Sequence, residues 1–145
     1  MRQPGTRLRM PQRKTVLIVD DDAAICNLLV SCLCETYDVL TAKDGIAAIW
    51  TYERNMERVA AIVSDVDMPR LDGRALAEWV HHIRPALPVI LMSGGRMSFE
   101  LEQFLDQPAI AFLPKPFDAP RLEAALHQLL EESESSKARQ VAGAP

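Results

Sequence analysis

Residues 15–22 read TVLIVDDD, a short, largely apolar run that ends abruptly in three aspartates. Similar short runs follow at residues 60–63, 89–92 and 109–113, and a weaker one lies at residues 38–42. Runs this short and this continuously apolar are typical of parallel strands that are buried on both faces of a sheet. The opening stretch therefore predicts the first strand of a parallel sheet, with its acids at the carboxyl end.

Segments of helical periodicity lie between these strands. One has apolar side chains or cysteine at positions 25, 28, 29, 32 and 33, and another repeats leucine or alanine at positions 122, 125, 126, 129 and 130. Asp22 is placed to cap the first helix and Asp118 to open the last, while Pro85 closes the third. A short fourth helix is predicted over roughly 98–106. Strand and helix thus alternate five times, which predicts a doubly wound α/β sandwich with right-handed crossovers.

The composition suits one domain, because 48% of the 145 residues are hydrophobic. We assign the domain to residues 14–131. Residues 1–13 are predicted to be a flexible basic leader, and residues 132–145, which lose the apolar stripe, a flexible polar tail. Residues 16–130 carry 9 basic and 17 acidic side chains, which argues against a nucleic-acid partner. No apolar run approaches the length of a membrane span, so no membrane partner is expected.

Cysteine usage favours a cytoplasmic protein. The three cysteines, Cys26, Cys32 and Cys34, fall in one predicted helix. Their odd number and their position do not suit a disulfide framework, and no Cys/His pattern has zinc spacing. We therefore expect reduced thiols.

Polar side chains stand where the predicted strands end, and ligands of open α/β sheets bind beyond those ends. Asp20 and Asp21 follow the first strand, Asp65 the third, Ser93 the fourth and Lys115 the fifth. The carboxylates would repel one another unless a cation offset their charge, and Mg2+ suits a few carboxylates that share a phosphate. Each group also has a simpler interpretation. The acids after the first strand could merely cap a helix, and the lysine and the serine could lie in ordinary surface turns.

Four segments resemble the signature blocks of response-regulator receiver domains, in that family's order and approximate spacing. They are VLIVDDD at 16–22, SDVDMPRLDG at 64–73, ILMSG at 90–94 and LPKPF at 113–117. The resemblance covers about residues 14–131. It implies a (βα)5 flavodoxin-like three-layer sandwich, whose five-stranded parallel sheet has the order 2-1-3-4-5.

The resemblance also implies a role for each matching residue. Asp65 is the expected phosphoacceptor, which receives a phosphoryl group from a sensor histidine kinase or a histidine phosphotransfer protein. Asp20 and Asp21 are expected to bind Mg2+ together with Asp65 and the backbone carbonyl of Asp67. Lys115 is expected to pair with the phosphoryl group.

A conformational switch is implied at Ser93 and Phe112. The Ser93 hydroxyl is expected to swing toward the phosphoryl group while the Phe112 ring moves inward. Gly73 matches the family's loop glycine, and the bond to Pro116 is expected to be cis. The sequence indicates no downstream target, and it leaves homodimerisation through the last helices open.

An enzyme of another class is the main alternative. The Asp65–Asp67 stretch also resembles the Asp-x-Asp motif of haloacid-dehalogenase-like phosphatases, which use an aspartyl nucleophile and Mg2+. That motif normally opens its domain and continues with Thr or Val, whereas Met68 and Pro69 follow here. We therefore expect no enzyme beyond self-catalysed phosphoryl transfer and autodephosphorylation. The chain is expected to be a stand-alone receiver or one excised from a hybrid kinase.

Overall fold

The computed structural model describes residues 12–142, and side chains through residue 137. The predicted leader therefore lies outside the described residues except for positions 12 and 13. Five strands and five helices alternate along the chain: β1 Thr15–Val19, α1 Ala23–Leu33, β2 Asp38–Ala42, α2 Gly45–Arg54, β3 Val59–Asp65, α3 Gly73–Ile83, β4 Val89–Ser93, α4 Phe99–Phe104, β5 Ile110–Pro114 and α5 Ala119–Ala142.

The five strands form one parallel sheet of order β2-β1-β3-β4-β5. This confirms the predicted α/β fold and its strand order. β3 runs longer than the predicted 60–63, since it pairs with β1 from Val59 and with β4 as far as Asp65. The extension places the last residue of β3 opposite Met92, at the edge where the other strands end.

Two hydrophobic clusters cover the two faces of the sheet. Leu17 and Val19 of β1 belong to one cluster, while Val16 and Ile18 of the same strand belong to the other. Residues of α2, α3 and α4 complete the first cluster, and residues of α1 and α5 complete the second. Because successive strand residues point to opposite faces, burial on both faces requires an apolar side chain at every position. This is the physical origin of the continuously apolar run at residues 16–19.

The last helix differs from its prediction. α5 continues through Ala142, whereas a flexible tail was expected from residue 132. Among its side chains described, through residue 137, the last buried one is Leu130, but no glycine or proline follows in the sequence until Gly143. Helix propagation costs little once a helix is nucleated, so the polar turns extend it, and Glu134 pairs with Lys14. Within residues 12–142 no helix, α5 included, is long and apolar enough for a membrane span.

Candidate functional site

The carboxyl ends of the parallel strands bring the predicted polar residues to one edge. β1 pairs with β3 up to Val19 and Ser64, so that Asp20 and Asp65 each stand one residue further. β4 and β5 pair up to Ser93 and Pro114, directly before Lys115. The backbone N–H of Lys115 donates to the carbonyl of Ser93 at 2.9 Å, and the Lys115–Pro116 peptide bond is cis as predicted. Strand register, rather than the loops, therefore positions the site.

An acidic cluster lies at this edge. Carboxylate oxygens of Asp20, Asp21 and Asp65 lie within 4.8 Å of one another. Asp20 is 2% exposed and Asp65 is 7% exposed, whereas Asp21 is open to solvent. The Oδ1 atom of Asp20 accepts the backbone N–H of Asp22 at 2.9 Å, while its buried Oδ2 atom accepts no hydrogen bond within the described part of the chain. A buried carboxylate oxygen without a donor beside two further carboxylates fits a hard divalent cation such as Mg2+.

The ammonium of Lys115 partly offsets the negative charge. Its Nζ atom lies 3.5 Å from Oδ1 of Asp65 and 3.6 Å from Oδ2 of Asp20, and its side chain is 23% exposed. These separations are ion-pair contacts longer than ordinary hydrogen bonds. One ammonium cannot neutralise two buried carboxylates and their exposed neighbour, so the cluster keeps a net negative charge that attracts a second cation.

Burial dominates the ionisation of the two inner acids. Burial raises the pKa of Asp65 above its ordinary value; Lys115 opposes the rise, and the charge of Asp20 adds to it. Burial likewise raises the pKa of Asp20, against the lowering effects of the Asp22 N–H and of Lys115. Raised native pKa values mean that the folded protein binds these protons more tightly than the unfolded chain. The stabilisation from these two groups is therefore present at low pH and is lost as pH rises above their ordinary range.

We expect Mg2+ to reverse this loss, and Asp20→Asn to abolish the reversal. At neutral pH without divalent cations, the variant should unfold at a higher temperature than the parent, because it removes one buried charge. Mg2+ at about 100 times its dissociation constant should stabilise the parent by about 2.7 kcal/mol and the variant far less. Thermal unfolding with and without Mg2+ measures both effects. Equal stabilisation of parent and variant would exclude Asp20 from the cation site.

The predicted switch residues occupy two different places. Ser93 is 5% exposed, and its hydroxyl donates to Oδ2 of Asp67 at 3.0 Å. Phe112 is half-buried in β5 opposite Leu91, and it packs against the cluster that contains α4. The receiver-domain motifs do not predict the hydrogen bond from Ser93 to the Asp67 carboxylate. Its only signal in the sequence is the position of an acid two residues after Asp65.

A second feature that sequence reasoning missed joins the β3–α3 loop to α2. The guanidinium of Arg70, a residue with φ of 70°, lies 3.8 Å from the carboxylate of Asp44. A Cβ atom at Gly45 would overlap the carbonyl oxygen of Leu71, so the loop lies directly against the start of α2. Neither the left-handed backbone of Arg70 nor the close approach of Gly45 to Leu71 corresponds to a residue pattern in the sequence.

The geometry agrees with the comparisons to known proteins. The sequence signature of the family described as "Response regulator receiver domain" matches residues 16–127. The chain belongs to this family. The chain is 35% identical over 125 residues to "Response regulator MprA" of Mycobacterium sp. (strain KMS), a match that covers 86% of the chain and 53% of that protein. It is 31% identical over 119 residues to "Transcriptional regulatory protein GlrR" of Escherichia coli (strain K12), covering 81% of the chain and 26% of that protein.

Solved structures show the same architecture. A CheY-like response regulator receiver domain protein from Methanospirillum hungatei JF-1 superposes with a TM-score of 0.78 at 29% identity, covering 86% of this chain and 99% of that one. The chain thus spans about a quarter to about half the length of the curated relatives named above. The shared part is the receiver domain of two-component signalling.

Proposed function

We propose that this receiver domain accepts a phosphoryl group onto Asp65 from the phosphohistidine of a sensor histidine kinase or histidine phosphotransfer protein. One observation carries the proposal: the Asp65 carboxylate lies among Asp20, Asp21 and the Lys115 ammonium, with oxygens of the three acids within 4.8 Å of one another. A carboxylate beside a cation site and a fixed ammonium is placed to attack phosphorus, because both positive charges stabilise the phosphoryl oxygens.

The transfer forms an acyl phosphate. An oxygen of Asp65 bonds to phosphorus as the nitrogen–phosphorus bond of the donor breaks, and the imidazole leaves with the electron pair. Asp20, Asp21, Asp65 and the backbone carbonyl of Asp67 would hold Mg2+, which supplies electrostatic stabilisation of the transferred group when bound. Lys115 pairs with a phosphoryl oxygen, and the burial of Asp65 limits the access of hydrolytic water.

The phosphoryl group then biases a protein-interaction surface. The Ser93 hydroxyl donates a hydrogen bond to a phosphoryl oxygen, and the Phe112 ring moves into the space that Ser93 leaves. The last strands and helices thereby shift between two packings. The output is contact with a protein partner in the cytoplasm, and this segment itself binds no nucleic acid. The chain acts on no other substrate; it catalyses only its own phosphorylation and dephosphorylation.

Labelling with a small acyl phosphate tests the proposal. The chain is incubated with acetyl phosphate and Mg2+, and the phosphoryl groups per chain are counted by intact mass. We expect one group per labelled chain, on the peptide that contains Asp65, and no label after Mg2+ is chelated. Absence of label, or label on another peptide, would contradict the proposal. Continuous hydrolysis of p-nitrophenyl phosphate would instead support the haloacid-dehalogenase-like alternative.

Loss of the Lys115 ammonium should slow the reaction. We expect Lys115→Met to lower the rate of Asp65 phosphorylation by about 100-fold, the effect of removing one preorganised electrostatic contact from a transition state. Lys43→Met is the matched control, because Lys43 is an exposed lysine that follows β2 at the same edge of the sheet. The rate is read from intact mass against time. Equal slowing in both variants would show a general effect of net charge rather than a role for Lys115.

A further inference from the structure

A chain of two hydrogen bonds runs through the side chain of Ser93. The backbone N–H of Gly95 donates to Oγ of Ser93 at 3.0 Å, and the Ser93 hydroxyl donates to Oδ2 of Asp67 at 3.0 Å. A serine hydroxyl has one proton to donate. In this structure the hydroxyl donates that proton to Asp67, so it cannot at the same time donate to a phosphoryl oxygen on Asp65.

Two of these three residues, Asp67 and Ser93, are also tied to the phosphorylation site by their backbones. The N–H of Asp67 points to Oδ1 of Asp65 at 3.4 Å, and the carbonyl of Ser93 accepts the N–H of Lys115 at 2.9 Å. Pairing of β3 with β4, which places Asp65 opposite Met92, also fixes the distance between Ser93 and the β3–α3 loop that contains Asp67. The Ser93 hydroxyl therefore has two acceptors in competition once a phosphoryl group is present: the Asp67 carboxylate and a phosphoryl oxygen.

We propose that the Asp67 carboxylate is an off-state latch: it holds the Ser93 hydroxyl in the unphosphorylated domain and must release it for the switch to operate. The inference rests on the proposed function, because it takes Ser93 as the hydroxyl that contacts the phosphoryl group. A hydrogen bond to a carboxylate is stronger than one to a neutral acceptor such as water, so Asp67 holds the hydroxyl as long as no phosphoryl oxygen competes for it. Asp67 is exposed, so water hydrates the carboxylate after release, and the latch biases the switch without blocking it.

The latch also gives a role to the carboxylate of Asp67, which the receiver-domain motif does not assign. Its backbone carbonyl is the atom expected at the cation, and any residue supplies a carbonyl. A carboxylate at this position can act through its side chain as well, because it accepts the Ser93 hydroxyl. Through Ser93 it does so on the equilibrium between the two switch states rather than on the transfer of the phosphoryl group.

A double-mutant cycle tests the latch, with beryllofluoride and Mg2+ as a stable mimic of the phosphoryl group. The dissociation constant is measured by calorimetry for the parent, Asp67→Ala, Ser93→Ala and the double variant. Removing the Asp67 carboxylate lowers its repulsion of the anion whether or not Ser93 is present. The latch is therefore measured by comparing the effect of Asp67→Ala on the dissociation constant in the parent with its effect in the Ser93→Ala variant. We expect Asp67→Ala to tighten binding about tenfold in the parent and about twofold in the Ser93→Ala background, a ratio of about five that corresponds to the net contribution of about 1 kcal/mol from one hydrogen bond.

The outcomes separate the latch from the proposed function. Equal factors in the two backgrounds would overturn the latch alone, since Asp67 would then act through its charge. Failure of the parent to bind beryllofluoride with Mg2+ would overturn the proposed function, and the latch with it. A second readout needs no phosphoryl mimic: the amide resonance of Gly95 in the free protein should shift when Asp67 is replaced by alanine. An unchanged resonance would show that the hydrogen-bonded chain is not formed in solution, and would also overturn the latch.

Discussion

Replacement of Asp65 by asparagine should reduce phosphoryl labelling of the receiver domain to background. The amide keeps the size and shape of the carboxylate, but it is neutral and a poor nucleophile at neutral pH, so no acyl phosphate forms. The expected result is an unchanged intact mass after incubation with acetyl phosphate and Mg2+, under conditions in which the parent gains one phosphoryl group. No other single substitution at this edge removes the bond-forming atom itself.

The variant should lose labelling without losing stability. Burial raises the pKa of Asp65, so at neutral pH the ionised carboxylate destabilises the folded state. The neutral amide removes that cost, and urea unfolding should give a free energy of unfolding at least equal to that of the parent. Asp38→Asn, at an exposed position where β2 begins, is the matched control and should label normally. Labelling of Asp65→Asn at the parental level would refute Asp65 as the phosphoacceptor.

The positions of the candidate site residues could be predicted because the end of a buried strand can be recognised in the sequence. A strand buried on both faces is continuously apolar, so its end is marked by the first polar residue, as at Asp20 after Val19. Parallel strands then bring those ends to one edge regardless of the loops between them. For this reason Asp65 and Lys115 were predicted to meet, although 50 positions of chain separate their numbers, and the structure places them in ion-pair contact.

The features that the sequence did not predict depend on loop conformation and on long-range contact. The hydrogen bond from Ser93 to Asp67 requires a particular path of the chain after β3, which the residue types do not specify. The left-handed backbone of Arg70 cannot be predicted from the residue type, since arginine has no intrinsic preference for that conformation. The helical extension of α5 to Ala142 was missed for the opposite reason, because loss of an apolar stripe ends packing but does not by itself end a helix.

Substitution of Gly73 by alanine should both destabilise the domain and misplace the phosphoacceptor. A Cβ atom at Gly73 would overlap the carbonyl oxygen of Asp65 and lie 3.0 Å from its carbonyl carbon and from Cα of Val66. All three atoms are backbone, so β3 or the start of α3 must move. Helix propensity alone would favour alanine by about 1 kcal/mol, but the overlap outweighs it. We expect a loss of about 2–4 kcal/mol in the free energy of unfolding, in the range of severe steric substitutions.

The kinetic consequence follows from the identity of the atoms that move. A shift of about 1 Å in a reacting group costs about 100-fold in rate, so the folded fraction of Gly73→Ala should be phosphorylated at least that much more slowly than the parent. Gly94→Ala is the matched control, because a Cβ atom there would meet only Cβ of Lys115 at an ordinary 3.6 Å. Urea unfolding and labelling rates are measured on both variants. If Gly73→Ala matched Gly94→Ala in both measurements, the backbone of Asp65 would tolerate displacement, and the strand ends would not be the rigid frame on which the site depends.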